Sequence, residues 1–148
     1  MSIALLDVNV LIGLLDPAHP SHEEAHGWFS RHRRQGWATS PLTLNGCVRI
    51  LSNPAYLSVE ATSAEVVSHL RTFCAARDHH FWQDSVALTD PEVFVPELIG
   101  GHAKIMDAYL LALAVRNGGR LATFDRSIPI KAVVGARPEN VELLGVRA

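Results

Sequence analysis

Apolar and polar positions fall in blocks along the chain, and the blocks define its elements. Ile3-Ala4-Leu5-Leu6 is a continuous apolar run closed by Asp7, the pattern of a strand buried on both faces of a parallel sheet. Residues 8–15 predict a short helix that stops where Asp16-Pro17 and His19-Pro20 break the chain. Ser21 is placed to cap a helix from 22 to about 35, with Glu23 and Glu24 in its first turn, Arg31, Arg33 and Arg34 in its last, and Gly36 beyond it. Residues 37–40 predict a strand. Ser40-Pro41 then opens a helix through Leu51, with Leu44, Val48 and Leu51 as its apolar stripe and Ser52-Asn53-Pro54 as its stop. Thr62-Ser63-Ala64-Glu65 opens another, running to about Ala76, with Val66, Val67, Leu70, Phe73 and Cys74 at helical spacing. Residues 81–88, 120–124 and 141–144 complete the predicted strands, the last at a sheet edge.

One helix differs from the rest. After Gly100-Gly101, residues 103–115 are mostly good helix formers, and Asn117-Gly118-Gly119 ends them. Between Lys104 and Arg116 the only charge is Asp107, a carboxylate in an otherwise apolar stretch that must be compensated if it is desolvated. Strands alternating with helices of these lengths predict an α/β fold with a mainly parallel sheet, and no repeat or linker divides the 148 residues into more than one domain.

Composition narrows the function classes. A net charge of −2 excludes a protein that coats nucleic acid through bulk positive charge, so a phosphate-bearing ligand must be bound locally. Cys47 and Cys74 are too few for a disulfide framework and read as core thiols, which points to a reducing cytoplasm. No apolar run has the length a bilayer requires, so a soluble, unexported protein is expected.

Two buried strands end alike, Leu5-Leu6-Asp7-Val8-Asn9 and Ala122-Thr123-Phe124-Asp125-Arg126, each putting a carboxylate at the C-terminal sheet edge where open α/β sheets bind ligands. If the Asp107 helix faces the same edge, three carboxylates converge without an internal partner to neutralise them. Hard cations such as Mg²⁺ are held by a few carboxylates plus waters and substrate phosphate oxygens, so this is a phosphoryl-transfer site in outline. Each acid also has a plainer use: Asp7 or Asn9 as a helix cap, Asp107 in a dipole-favoured first turn, Asp125 at the start of a turn.

These stretches, with Trp37-Ala38-Thr39-Ser40-Pro41-Leu42-Thr43, Asn45-Gly46, Val48-Arg49-Ile50-Leu51-Ser52-Asn53-Pro54, and His102 with Asp107-Ala108-Tyr109-Leu110, resemble the PIN-domain ribonucleases, specifically the VapC-like toxins of bacterial toxin–antitoxin pairs. The likeness spans nearly the whole chain. It implies a single PIN-like domain over residues 1–148, a three-layer α/β/α sandwich, and a Mg²⁺- or Mn²⁺-dependent endoribonuclease acting on RNA. It also implies a small antitoxin partner and a homodimer. Asp7, Asp107 and Asp125 become the catalytic, metal-binding acids, with Asn9 and Thr123 as supporting polar groups. The family usually has a further acid in the helix after Ser40-Pro41, at Leu44 or, with a small shift, Gly46; neither binds metal here. Asn45 offers a neutral oxygen instead, so metal binding weaker than at a four-acid site is expected, and an RNA- or partner-binding module without catalysis is the alternative. Arg49 and Arg126, beside the acidic stretches, are the candidates for RNA phosphate contact, with an ion pair to an acid as the equal alternative for Arg49.

His22-Glu23-Glu24-Ala25-His26 matches the H-E-x-x-H zinc-protease helix, and His32 falls where a longer form of that motif wants a third ligand. That form needs glycine where this chain has Phe29. If the helix runs on, His32 lies about 15 Å along the axis from His22, which disfavours a protease. His79-His80 reads as a solvated turn, and His102 as a residue at a helix start.

Overall fold

The structure is a computed structural model that describes residues 2–145. Five strands, β1 (Ala4–Leu6), β2 (Trp37–Thr39), β3 (His79–Phe81), β4 (Arg120–Thr123) and β5 (Val141–Leu143), form one sheet in the order β3-β2-β1-β4-β5. Every pairing is parallel. Five α-helices connect or cover them: α1 (Val8–Leu15), α2 (His22–His32), α3 (Pro41–Leu51), α4 (Ser63–Phe73) and α5 (Ile105–Arg116).

The alternation of a pleated strand divides the core in two. Ala4, Leu6, Trp37 and Ala122 point into one cluster, which takes in Val10 and Leu11 of α1, Trp28 and Phe29 of α2, Cys47 and Leu51 of α3, and Val66 and Leu70 of α4. Leu5, Ala38 and Leu121 point the other way, into a cluster built on Ala108 and the 110–114 run of α5. The result is the three-layer α/β/α sandwich that the resemblance implies, with the central strands β1, β2 and β4 buried on both faces and the edge strands β3 and β5 partly exposed. Among the described residues, no helix is long and apolar enough to cross a membrane.

Local chemistry explains the element boundaries. Ser40 and Thr43 form a reciprocal capping box at the start of α3, with Pro41 in the first turn, and Thr62 with Glu65 does the same for α4. Ser21 departs from expectation: its backbone enters α2 with ψ near 9°, so its hydroxyl makes no cap hydrogen bond, and Glu23 and Glu24 alone serve the helix dipole there. α2 tightens into a 3₁₀ turn at Arg33–Gln35 instead of remaining α-helical to 35. The third strand also differs from the predicted 81–88. β2 ends at the Ser40 cap, so only residues 79–81 find backbone partners in register, followed by the Trp82 N–H on Thr39 O. His79 and His80 are therefore strand residues rather than a turn, and the His79 ring is hydrogen-bonded to the Thr39 hydroxyl at 2.7 Å. α5 begins at 105, after a 3₁₀ turn at His102–Lys104, and exposes Ile105 and Met106 while burying Ala108 and 110–114.

Candidate active site

The strand order reverses direction at β1 and β4, because the chain builds outward from β1 through β2 to β3 on one side and through β4 to β5 on the other. Such a switch point opens a crevice at the C-terminal strand ends. Leu6 pairs with Ala122, so the next residues, Asp7 and Thr123, stand side by side at that edge, and the Asp7 N–H donates to Ala122 O at 3.0 Å.

Thr123 is the hub of the polar groups here. Its fully buried hydroxyl donates to Asp7 Oδ2 at 2.7 Å and accepts from the Asp125 N–H at 3.0 Å and from Asn9 Nδ2 at 3.4 Å. The Asn9 carbonyl oxygen accepts the Phe124 N–H at 3.3 Å. Asp7 Oδ1 accepts the Val8 N–H at 2.7 Å, which starts α1. The capping use of Asp7 and its place in the site are one geometry.

Asp107 lies in the first turn of α5, with its side chain 15% exposed. The residue one turn before it, Lys104, reaches both acids on this side: its Nζ is 3.6 Å from Asp107 Oδ2 and 3.2 Å from Asp125 Oδ2, and it also donates to the Ser127 hydroxyl. Asp125 begins a turn as well, accepting the Ser127 N–H at 2.8 Å. The acids are therefore not left without an internal counter-charge, as the apolar composition of α5 suggests. Lys104 supplies one, and its i,i+3 spacing from Asp107 is the sequence signal for it.

The three carboxylates differ in proton affinity for stated reasons. Burial pushes Asp7 up, against the hydrogen bonds from Thr123 and Val8, and the Asp125 charge adds to the rise. Asp107 is pushed up to about 6 by burial, by a hydrogen bond shared with Asp125 and by the charges of Asp125 and Asp7, with Lys104 opposing. Asp125 is held far below the ordinary carboxylate range, chiefly by the Ser127 N–H and hydroxyl, with Asp107 and Lys104 helping. Two acids are thus raised, chiefly by burial and secondarily by neighbouring carboxylate charge, while the third is kept ionised by its hydrogen bonds.

The structure brings Asp7, Asn9, Asp107, Thr123 and Asp125 together and leaves other predicted residues apart. Asn45 is exposed and lines an apolar groove of about 290 Å³ with Leu44, Val48, Leu70 and Cys74, so it faces α4 and not the acids. Gly46 packs on the start of α1; a Cβ there would stand 2.8 Å from Val8 Cγ2, leaving no room for an acid without rearrangement. Arg126 is exposed next to Asp125, whereas Arg49 sits about 12 Å along α3 from that helix's start at the site edge. His22 and His26 do share a face of α2, with rings 5.8 Å apart, but His22 Nδ1 is bonded to Gly13 O, Phe29 is buried within a continuous helix, and His32 stacks on Trp28. The H-E-x-x-H match is structural.

Three further acids, one buried and two partly buried, hold the scaffold without any local sequence signal. Asp16 is 1% exposed and accepts from the Tyr56 hydroxyl at 2.5 Å. Asp78 joins Arg33 to the Trp37 indole, and Glu142 joins Trp28 to Arg120. Each pairs residues more than 20 positions apart, beyond the reach of local patterns.

Whether these residues suit a divalent cation depends on the donor set. Among the described residues, no three His, Cys, Asp or Glu side chains form a ready-made cation cluster. The donors are nonetheless all hard oxygens on a half-open edge, with a primary ammonium drawn in between two of them. A cation that keeps several waters and needs only a few carboxylates fits that set, and a thiolate- or imidazole-seeking ion does not.

Residues 4–133 match the family model of the PIN domain. The chain is 41% identical over 141 residues to ribonuclease VapC44 of Mycobacterium tuberculosis (strain ATCC 25618 / H37Rv), covering 95% of this chain and 99% of that protein. It is 41% identical over 132 residues to ribonuclease VapC39 of the same strain, covering 89% and 95% of the two chains. To ribonuclease VapC38 the identity is 39% over 145 residues, covering 97% and 99%.

Proposed function

This chain belongs to the PIN-domain family, and we propose that it is a divalent-metal-dependent endoribonuclease of the VapC type, the toxin of a toxin–antitoxin pair. The observation that carries the reading is the meeting of Asp7, Asp107 and Asp125 at the switch point of the sheet, on three different elements. In this reading those three carboxylates hold the ion, Mg²⁺ or Mn²⁺. When bound, it supplies activation of a water nucleophile and neutralises charge on the scissile phosphodiester.

The chain's own residues supply the rest. Thr123 fixes the free oxygen of Asp7 by donating to it, and Asn9 holds Thr123 and the Phe124 backbone, so the Asp7 carboxylate is preorganised. Asp107 is raised in proton affinity by burial and by the Asp125 and Asp7 charges, so a cation bound between these carboxylates would favour its ionised, ligating form. Arg126 extends beside Asp125 as the contact to an RNA phosphate, with Arg49 farther along the same strand of substrate. Structured RNA is the substrate, a small antitoxin encoded beside the toxin is its inhibitor, and the active form is a cytoplasmic homodimer.

One observation favours a second reading. Leu44 and Gly46 stand where a fourth acid would be, one turned to an apolar groove and the other blocked by Val8. The second reading is an RNA- or partner-binding module without catalysis. A titration of Mg²⁺ and Mn²⁺ with labelled structured RNA separates the two. The nuclease yields fragments that depend on metal and vanish in EDTA; a pure binder retards the RNA in a gel at every metal concentration and yields none.

A further inference from the structure

We propose that the Lys104 ammonium is the built-in cation of the acidic site and that a divalent ion enters by displacing it. The proposal rests on the metal-dependent reading above. Lys104 Nζ lies 3.2 Å from Asp125 Oδ2, 3.5 Å from Asp125 Oδ1 and 3.6 Å from Asp107 Oδ2, so it spans two of the three carboxylates that would serve the metal. The oxygens that face Lys104 are those a divalent ion would use, and an ion placed against them brings a second positive charge up to the ammonium, which repels it in a partly desolvated site.

The local backbone suits an arm that swings. Lys104 ends a 3₁₀ turn that follows Gly100 and Gly101, whose φ values of 90° and 108° belong to the left-handed region that favours glycine. Its side chain is 26% exposed, and it is held by ion pairs to two carboxylates and by the Ser127 hydroxyl. Lysine suits the role better than arginine, since a point charge on a flexible stem leaves more readily than a bidentate fork. Metal uptake is then an exchange, and the affinity observed is the intrinsic affinity reduced by the work of removing Lys104.

The sequence makes this testable by direct observation, because Lys104 and Lys131 are its only lysines. With lysine labelled at Cε by ¹³C, Mg²⁺ titrated into the full-length protein is expected to move the Lys104 resonance along a saturation curve while the Lys131 resonance stays fixed. By isothermal calorimetry, Lys104→Gln is expected to bind Mg²⁺ about tenfold more tightly than wild type, and Lys104→Arg no more tightly than wild type. Asp107→Asn is expected to lose binding, and circular dichroism verifies that each variant is folded. Mg²⁺ uptake by wild type with a stationary Lys104 resonance, or with no gain in folded Lys104→Gln, overturns the exchange and leaves the metal site standing. No uptake by any of the proteins overturns both.

Discussion

Asp107→Asn is expected to stabilise the protein in EDTA while abolishing RNA cleavage. The Asp107 side chain is 15% exposed, faces Asp125 and Asp7, and is only partly compensated by Lys104, which together lift its pKa from 3.8 to about 6. At about 1.36 kcal/mol per tenfold change in proton affinity, that rise bounds the cost of ionising Asp107 at about 3 kcal/mol. Screening at the half-open edge reduces the expected gain on substitution to about 1–2 kcal/mol. The asparagine amide can still donate to Asp125, so little packing is lost. The sign follows from linkage. A carboxyl whose folded pKa is raised contributes stability that is fully present below pH 3.8 and is lost as the pH rises through about 6. The advantage of the variant should therefore be small at pH 4, open between pH 4 and 6, and stay constant above pH 7. Urea denaturation followed by tryptophan fluorescence at those pH values, in EDTA, measures it. Saturating Mg²⁺ should then reverse the order, since metal at about one hundred times its Kd stabilises wild type by about 2.7 kcal/mol and leaves a non-binding variant unchanged. A variant less stable than wild type in EDTA at pH 7.5 would refute the crowded-carboxylate reasoning.

Further expectations concern the scaffold of the site. Thr123→Val removes the donor to Asp7 and the acceptor for Asn9 and the Asp125 N–H in a fully buried position, so denaturation should report a loss of about 1–3 kcal/mol and RNA assays a fall in kcat. Gly46→Ala gains up to about 1 kcal/mol in helix propensity but drives a Cβ to 2.8 Å from Val8 next to Asp7; the over-packing, about 1–3 kcal/mol, should win, and a stabilised, fully active variant would contradict that placement. Arg33 and the Trp37 indole hold the Asp78 carboxyl below its ordinary range, so its contribution is present above about pH 4 and lost as the pH falls further; Asp78→Asn should flatten the acid limb of an equilibrium denaturation profile.

The buried strands were legible because burial on two faces favours short apolar stretches, continuous at 3–6 and carried by Leu121, Ala122 and Phe124 in the later strand, and the helices because Ser40-Pro41 and the Thr62–Glu65 capping box mark where α3 and α4 begin. The acids at the strand ends were legible for the same reason: a charge that closes a buried run has to stand at the sheet edge. Lys104 escaped attention because a lysine before a helix looks like an ordinary solvated residue, and only its reach over one turn to Asp107 and across the loop to Asp125 makes it part of the site. Asn45 failed for the opposite reason. Its neighbours in sequence suggest the acids, but one step around α3 turns it toward α4. Strand β3 was displaced because its extent is set by its partner β2, whose end at Ser40 no reading of residues 81–88 reveals. Long-range pairs such as Asp16 with Tyr56 and Glu142 with Trp28 have no local pattern at all.

The most direct test of the acidic site as a ribonuclease centre is cleavage of one structured RNA by wild type, Asp7→Asn and Asp107→Asn at matched purity, in Mg²⁺, in Mn²⁺ and in EDTA. The account predicts fragments only from wild type and only with metal, while both variants remain folded by circular dichroism. Undiminished cleavage by the two variants, or by wild type in EDTA, would contradict it.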